Sequence, residues 1–133
     1  GVYSADRDVL IELFKATNGE NWKDKTGWGS SVSICSWIGV TCTNDGQVAA
    51  LSLANNNLDG HIPPSLGSLN KLIRLYLNNN FLNGPIPESL TKLNLQILDL
   101  QSNQLTGSLP EFHSTSLLTL SLNDNKRSGN LPE

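Results

Sequence analysis

Residues 72–87 read LIRLYLNNNFLNGPIP, and the pattern L-x-x-L-x-L-x-x-N-x-L-x-G-x-I-P is spelled four times along the chain. The other copies begin at Val48 (VAALSLANNNLDGHIP), Leu95 (LQILDLQSNQLTGSLP) and Leu117 (LLTLSLNDNKRSGNLP). Each copy has to set three apolar residues, one Asn, one Gly and one Pro in register, which chance does not supply. A period of about 22–24 residues predicts an array of short stacked coils, each a single supersecondary unit.

The physics of one copy accounts for its pattern. Leu72, Leu75 and Leu77 point inward along a short strand, so Ile73, Arg74 and Tyr76 stand on the other face. Asn80 follows where the strand turns, and its amide carries both the donor and the acceptor that a buried loop requires. Asn56, Asn103 and Asn125 hold the same place and complete a structural ladder of asparagines. Leu82 returns to the core, Gly84 supplies a backbone conformation closed to other residues, and Ile86-Pro87 begins a convex return. One coil cannot bury its leucines alone, so the array itself is the core. The expected class is α/β: a right-handed solenoid with a parallel β-sheet on its concave face and a helical cap at its N-terminus.

Composition narrows the function. With 23 Leu and 16 Asn among 133 residues, more than a quarter of the chain is coil core and coil turn. One domain is expected at this length. A net charge of -3 with nine scattered basic residues argues against nucleic acid, which needs a clustered basic face. No apolar run approaches the roughly 20 residues of a membrane span, so no membrane segment is expected. No secretory leader is seen either, which leaves a cytosolic chain or a mature segment whose leader was removed.

Residues 1–47 do not repeat and are expected to form the capping region, followed by four repeats over 48–133, the last truncated. Ser4 is placed to cap a helix, with Asp6 and Asp8 in its first turn and Val9, Leu10, Leu13 and Phe14 at helical spacing. Asn18-Gly19 is expected to end that helix in the left-handed way. Trp22 and Trp28 read as anchors packing the following loop onto the helix, with ligand stacking as the competing role. Cys35 and Cys42 flank a predicted strand, and Asn44-Asp45-Gly46 reads as a hairpin turn into the first repeat. A bridge between them would contribute about 2.5 kcal/mol through chain entropy. A metal is the alternative, but two Cys without a paired His fall short of four ligands. An even pair in a small capped module favours the disulfide and an oxidising compartment.

The G-x-I-P half of each copy resembles the plant-type leucine-rich repeat, the class that includes receptor-kinase ectodomains and polygalacturonase-inhibiting proteins. The stretch Cys35-Ser36-Trp37-Ile38-Gly39-Val40-Thr41-Cys42 is similar to the cap those proteins carry ahead of their first repeat. The segment Asn18-Gly19-Glu20-Asn21-Trp22 is also similar to modules of protists and bacteria. The resemblance runs from Ala5 to Glu133 and implies extracellular or cell-surface binding without naming a ligand.

Departures from the pattern are local. The spacing contracts from 24 to 23 to 22 residues, with losses around Asn94 and around 112–116. His113 takes the slot of Leu66 and Leu90, with Phe112 expected to do the packing there. Arg127 takes the slot of Leu58, Leu82 and Leu105. The chain stops partway through a coil with no second cap, so the array is expected to be either a short module or part of a longer one, with an end open to end-to-end self-association.

Catalytic chemistry has little to stand on. His61 and His113 have no neighbouring nucleophile in a recognisable motif, and no phosphate-binding loop or H-E-x-x-H is present. No cofactor and no metal is expected, and the chain reads as non-enzymatic. The binding expectation rests on the concave face, where equivalent positions stack about 4.8 Å apart. Arg74, Tyr76, Asn78, Asp99 and Gln101 stand there, and Tyr and Arg are favoured at binding hot spots. The reading is a recognition module for a protein or peptide ligand, such as a receptor or co-receptor ectodomain. An inhibitor of a secreted polysaccharide hydrolase and a structural or ice-binding surface protein are the alternatives.

Overall fold

The computed structural model describes residues 5–112 and 117–125. The chain opens on helix α1 (Ala5–Ala16), which buries Val9, Leu10 and Leu13. Strand β1 (Val40–Cys42) follows, and the repeats then contribute strands in pairs: β2 (Val48–Ser52) with β3 (Asp59–His61), β4 (Arg74–Tyr76) with β5 (Phe81–Pro85), and β6 (Ile97–Asp99) with β7 (Gln104–Thr106). β8 (Thr119–Ser121) is the last described strand. They form two sheets, ordered β1-β2-β4-β6-β8 and β3-β5-β7, so each coil turns from one sheet into the other. The result is the solenoid that the repeat predicts.

The first sheet is parallel from β2 to β8, with Leu51, Leu75, Leu98 and Leu120 in one inward row. β1 adds an antiparallel edge strand, joined to β2 by the Thr43–Gln47 hairpin that Asn44-Asp45-Gly46 predicts. The second sheet adds to the sequence reading, which returned Leu82 to the core and began the convex return at Ile86-Pro87 but assigned no strand between them. Its strands alternate outward and inward, as in exposed Phe81, buried Leu82 and exposed Asn83. On the convex side, 3-10 turns at Pro64–Ser68 and Glu88–Lys92 bury Leu66 and Leu90. Phe112 packs against the core as expected; His113, Arg127 and Ser4 lie outside the described residues.

The asparagines tie one coil to the next. Oδ1 of Asn80 accepts from the N–H groups of Asn56 and Leu58 at 2.9 and 3.0 Å. Its Nδ2 donates to the carbonyls of Leu53 and Leu77, both at 3.0 Å. Asn103 and Asn125 repeat the arrangement, each accepting from the preceding coil at Leu82 and Leu105. Asn56 has no coil before it and binds the cap instead, with Asp24 N–H and carbonyl at 2.7 and 2.9 Å. The ladder therefore fastens coil to coil, beyond closing the loop within one coil.

The cap is an aromatic stack. Trp22, Trp28 and Trp37 are all buried. Phe14 meets Trp22 edge-on at 5.1 Å and stacks on Trp28 at 6.0 Å, and Arg7 lies over Trp37 at 5.0 Å. Packing, not ligand stacking, is the role of Trp22 and Trp28, since no ring face is left open. The left-handed residue after α1 is Asn18 (φ 53°), within the expected Asn18-Gly19 pair. Gly19 is required for space, because a Cβ there would enter the Phe14 ring. Gly60 has the same function between β3 and α1, where a Cβ would meet the Ala16 carbonyl oxygen. Cys35 and Cys42 form a disulfide, Cα atoms 5.6 Å apart, that ties β1 to the turn at Ile34–Ser36.

Candidate functional site: the concave face

Strand register builds the face row by row. One row holds Ala50, Arg74, Ile97 and Thr119, and the next holds Ser52, Tyr76, Asp99 and Ser121. Arg74 and Tyr76 therefore share β4, and Asp99 sits on β6 directly opposite Tyr76. All three are half-buried. Among the described residues, neither the Arg74 guanidinium nor the Tyr76 hydroxyl has a hydrogen-bond or ion-pair partner. Asp99 is held by the segment that follows its strand: the Gln101 N–H lies 3.3 Å from its Oδ1 and Gln101 Nε2 lies 3.5 Å from its Oδ2.

The remaining predicted positions behave differently. Gln101 orients Asp99, while Asn78 has a buried Oδ1 with no partner among the described residues. Ile97 received no role from the sequence beyond its place on the face, yet it stands half-buried beside Arg74. The signal for it was the register, which the repeat alignment already contains. A cavity of about 810 Å³ lies at the cap, lined by Asp6, Arg7, Val32 and Cys35 among others, and none of the concave trio reaches it. No group of three or more His, Cys, Asp or Glu side chains that could hold a metal occurs among the described residues. His61 is exposed on the second sheet.

A capped array of stacked coils with a parallel concave sheet and an asparagine ladder defines a solenoid repeat protein. Residues 4–43 match the family described as leucine rich repeat N-terminal domain, and residues 48–69, 71–93 and 94–115 match that described as Leucine Rich Repeat. The chain belongs to the leucine-rich repeat family. It is 38% identical over 136 residues to the receptor-like protein kinase BRI1-like 3 of Arabidopsis thaliana, covering 92% of this chain and 11% of that protein. Among solved structures it resembles the ectodomain of the receptor kinase SOBIR1 from Arabidopsis thaliana, with TM-score 0.80 and 30% identity over 98% of this chain and 72% of that one. It also resembles a plant ice-binding protein, with TM-score 0.62 and 25% identity over 96% of this chain and 50% of that one. The chain spans about a tenth of the length of the curated relatives it matches. No helix among the described residues is long and apolar enough to cross a membrane.

Proposed function

We propose that the chain is a non-enzymatic recognition module of the extracellular or cell-surface kind, in which residues 1–47 cap an array over 48–133. Its concave face takes a protein or peptide ligand, as a receptor or co-receptor ectodomain does. The observation that carries this is the meeting of Arg74, Tyr76 and Asp99 on two adjacent inner strands, with the first two heads unpartnered among the described residues. The likeness to receptor-kinase ectodomains supports it.

Size bounds the affinity. Four repeat strands offer a face of roughly 300 Å², against about 800 Å² per partner in a standard interface. Such a module binds weakly alone or acts beside a longer partner. The test is selection from an unbiased displayed-peptide library, followed by comparison of Tyr76→Ala with convex Lys92→Ala. Binding should fall by about thirtyfold in the first and stay in the second. Peptides that bind Tyr76→Ala as they bind wild type would place the contact elsewhere.

Ice binding has one observation in its favour, the likeness to the plant ice-binding protein. The concave rows count against it, since Ala-Arg-Ile-Thr and Ser-Tyr-Asp-Ser offer no regular array of one side chain. Thermal hysteresis of the purified chain decides between the two.

A further inference from the structure

We propose that the concave face selects an extended peptide carrying one acidic and one basic side chain two residues apart, the acid on Arg74 and the base on Asp99. This rests on the reading of the concave face as the contact surface. Four half-buried side chains carry it. In the register of β4 and β6, Arg74 faces Ile97 and Tyr76 faces Asp99. The two charges therefore occupy one diagonal of a square, and the aromatic and aliphatic residues occupy the other.

Geometry turns that square into a spacing rule. Neighbouring strands lie about 4.8 Å apart and two residues advance about 6.7 Å, so the backbones of Arg74 and Asp99 stand about 8 Å apart along the diagonal. Side chains i and i+2 of an extended peptide project from one face about 6.7 Å apart. Long acidic and basic side chains cover the difference. Neighbours at i+1 point the wrong way, and i+3 does as well.

Charge gives the reason for the selection. Arg74 and Asp99 form no ion pair with each other, and the one ion pair among the described residues is Lys25 with Glu20 in the cap. The register sets their backbones on opposite corners, and the two heads are not paired with each other. Gln101 fixes the Asp99 carboxylate, whereas the Arg74 guanidinium keeps its donors for a visitor. A counter-charge meeting either head on a partly desolvated surface forms a stronger contact than at an open one. Tyr76 and Ile97 then flank a chain that crosses the strands at roughly 35°.

The experiment uses the whole chain and decapeptides of Ser and Thr carrying Glu and Lys at i,i+2, at i,i+1, at i,i+3, or either charge alone. Fluorescence anisotropy at low salt reads the affinities. The i,i+2 peptide should bind about tenfold or more tighter than the others. Arg74→Ala should abolish the preference for Glu, Asp99→Ala that for Lys, and Arg74→Glu combined with Asp99→Lys should restore i,i+2 binding. Circular dichroism reports whether each variant folds. Equal affinity for all spacings, or no binding by any of these peptides, overturns the charge rule. Loss of library-selected peptides on Tyr76→Ala would show in either case that the concave face still binds, so the two readings fail separately.

Discussion

Asn80 shows what a single side chain does in this fold. It is 5% exposed and serves two coils at once, satisfying the N–H groups of Asn56 and Leu58 and the carbonyls of Leu53 and Leu77. Removing the amide strands three backbone groups in a place water cannot reach, the N–H groups of Asn56 and Leu58 and the carbonyl of Leu53, while the Leu77 carbonyl keeps Asn103 Nδ2 at 2.9 Å. Each buried orphan costs about 1–3 kcal/mol before relaxation. Asn80→Ala is therefore expected to lower stability by about 3 kcal/mol or more, read by urea denaturation at unchanged pH. Asn80→Asp should be at least as damaging, since a carboxylate would face two carbonyls in place of the amide donors. A loss below 1 kcal/mol in the alanine variant would mean that the ladder is decoration and the leucines alone set the stack. The third residue past each concave strand tells a related story. Asn55, Asn79, Ser102 and Asp124 all take the left-handed conformation at φ 55–60°. That region suits Asn and strains Ser.

At the level of elements, the cap and the two sheets divide the work. The disulfide joins β1, the edge strand of the concave sheet, to the turn before it. Cys35→Ser should cost about 2–3 kcal/mol by loop entropy, measured as the shift in denaturation midpoint at constant slope. Two free thiols in natively purified protein, seen by mass spectrometry without reductant, would remove the oxidising-compartment reading together with the bridge. How much of this was legible in the sequence depends on where the information sits. The inward Leu75 and Leu98 and the positions of Arg74 and Asp99 were legible, because a repeat aligned with itself gives register directly. The hairpin before β2 was legible from its Asn-Asp-Gly turn. The second sheet was not: β5 ends in Gly84-Pro85, and those two residues argue against a strand unless its partners are known. Nor was the reach of each asparagine into the preceding coil, since that depends on how closely coils stack. The unpartnered state of Arg74 is likewise a property of side-chain placement that no spacing reports.

Over the whole molecule, stability in a solenoid is a sum of coils and of the interfaces between neighbours. The two ends of this array are unequal. At the N-terminal end, Asp6 Oδ2 accepts from Val48 N–H, Asn57 Nδ2 donates to the Asn21 carbonyl, and Asp24 meets Asn56. At the other end, inward Leu120 is 36% exposed, while its equivalents Leu51, Leu75 and Leu98 are fully buried. β8 holds fewer buried contacts and should open first. Its opening frees particular amides: Leu100 N–H donates to the Ser121 carbonyl and Ser102 N–H to the Asn123 carbonyl. The matching bonds one coil earlier run from Leu77 to Asp99 and from Asn79 to Gln101. In native-state hydrogen exchange of the 133-residue chain, Leu100 and Ser102 should exchange about tenfold or more faster than Leu77 and Asn79, with Leu53 and Asn55 protected by the cap. Equal protection at all six amides would mean that the array opens as one cooperative unit, and that the cap stabilises β8 as much as it stabilises β2.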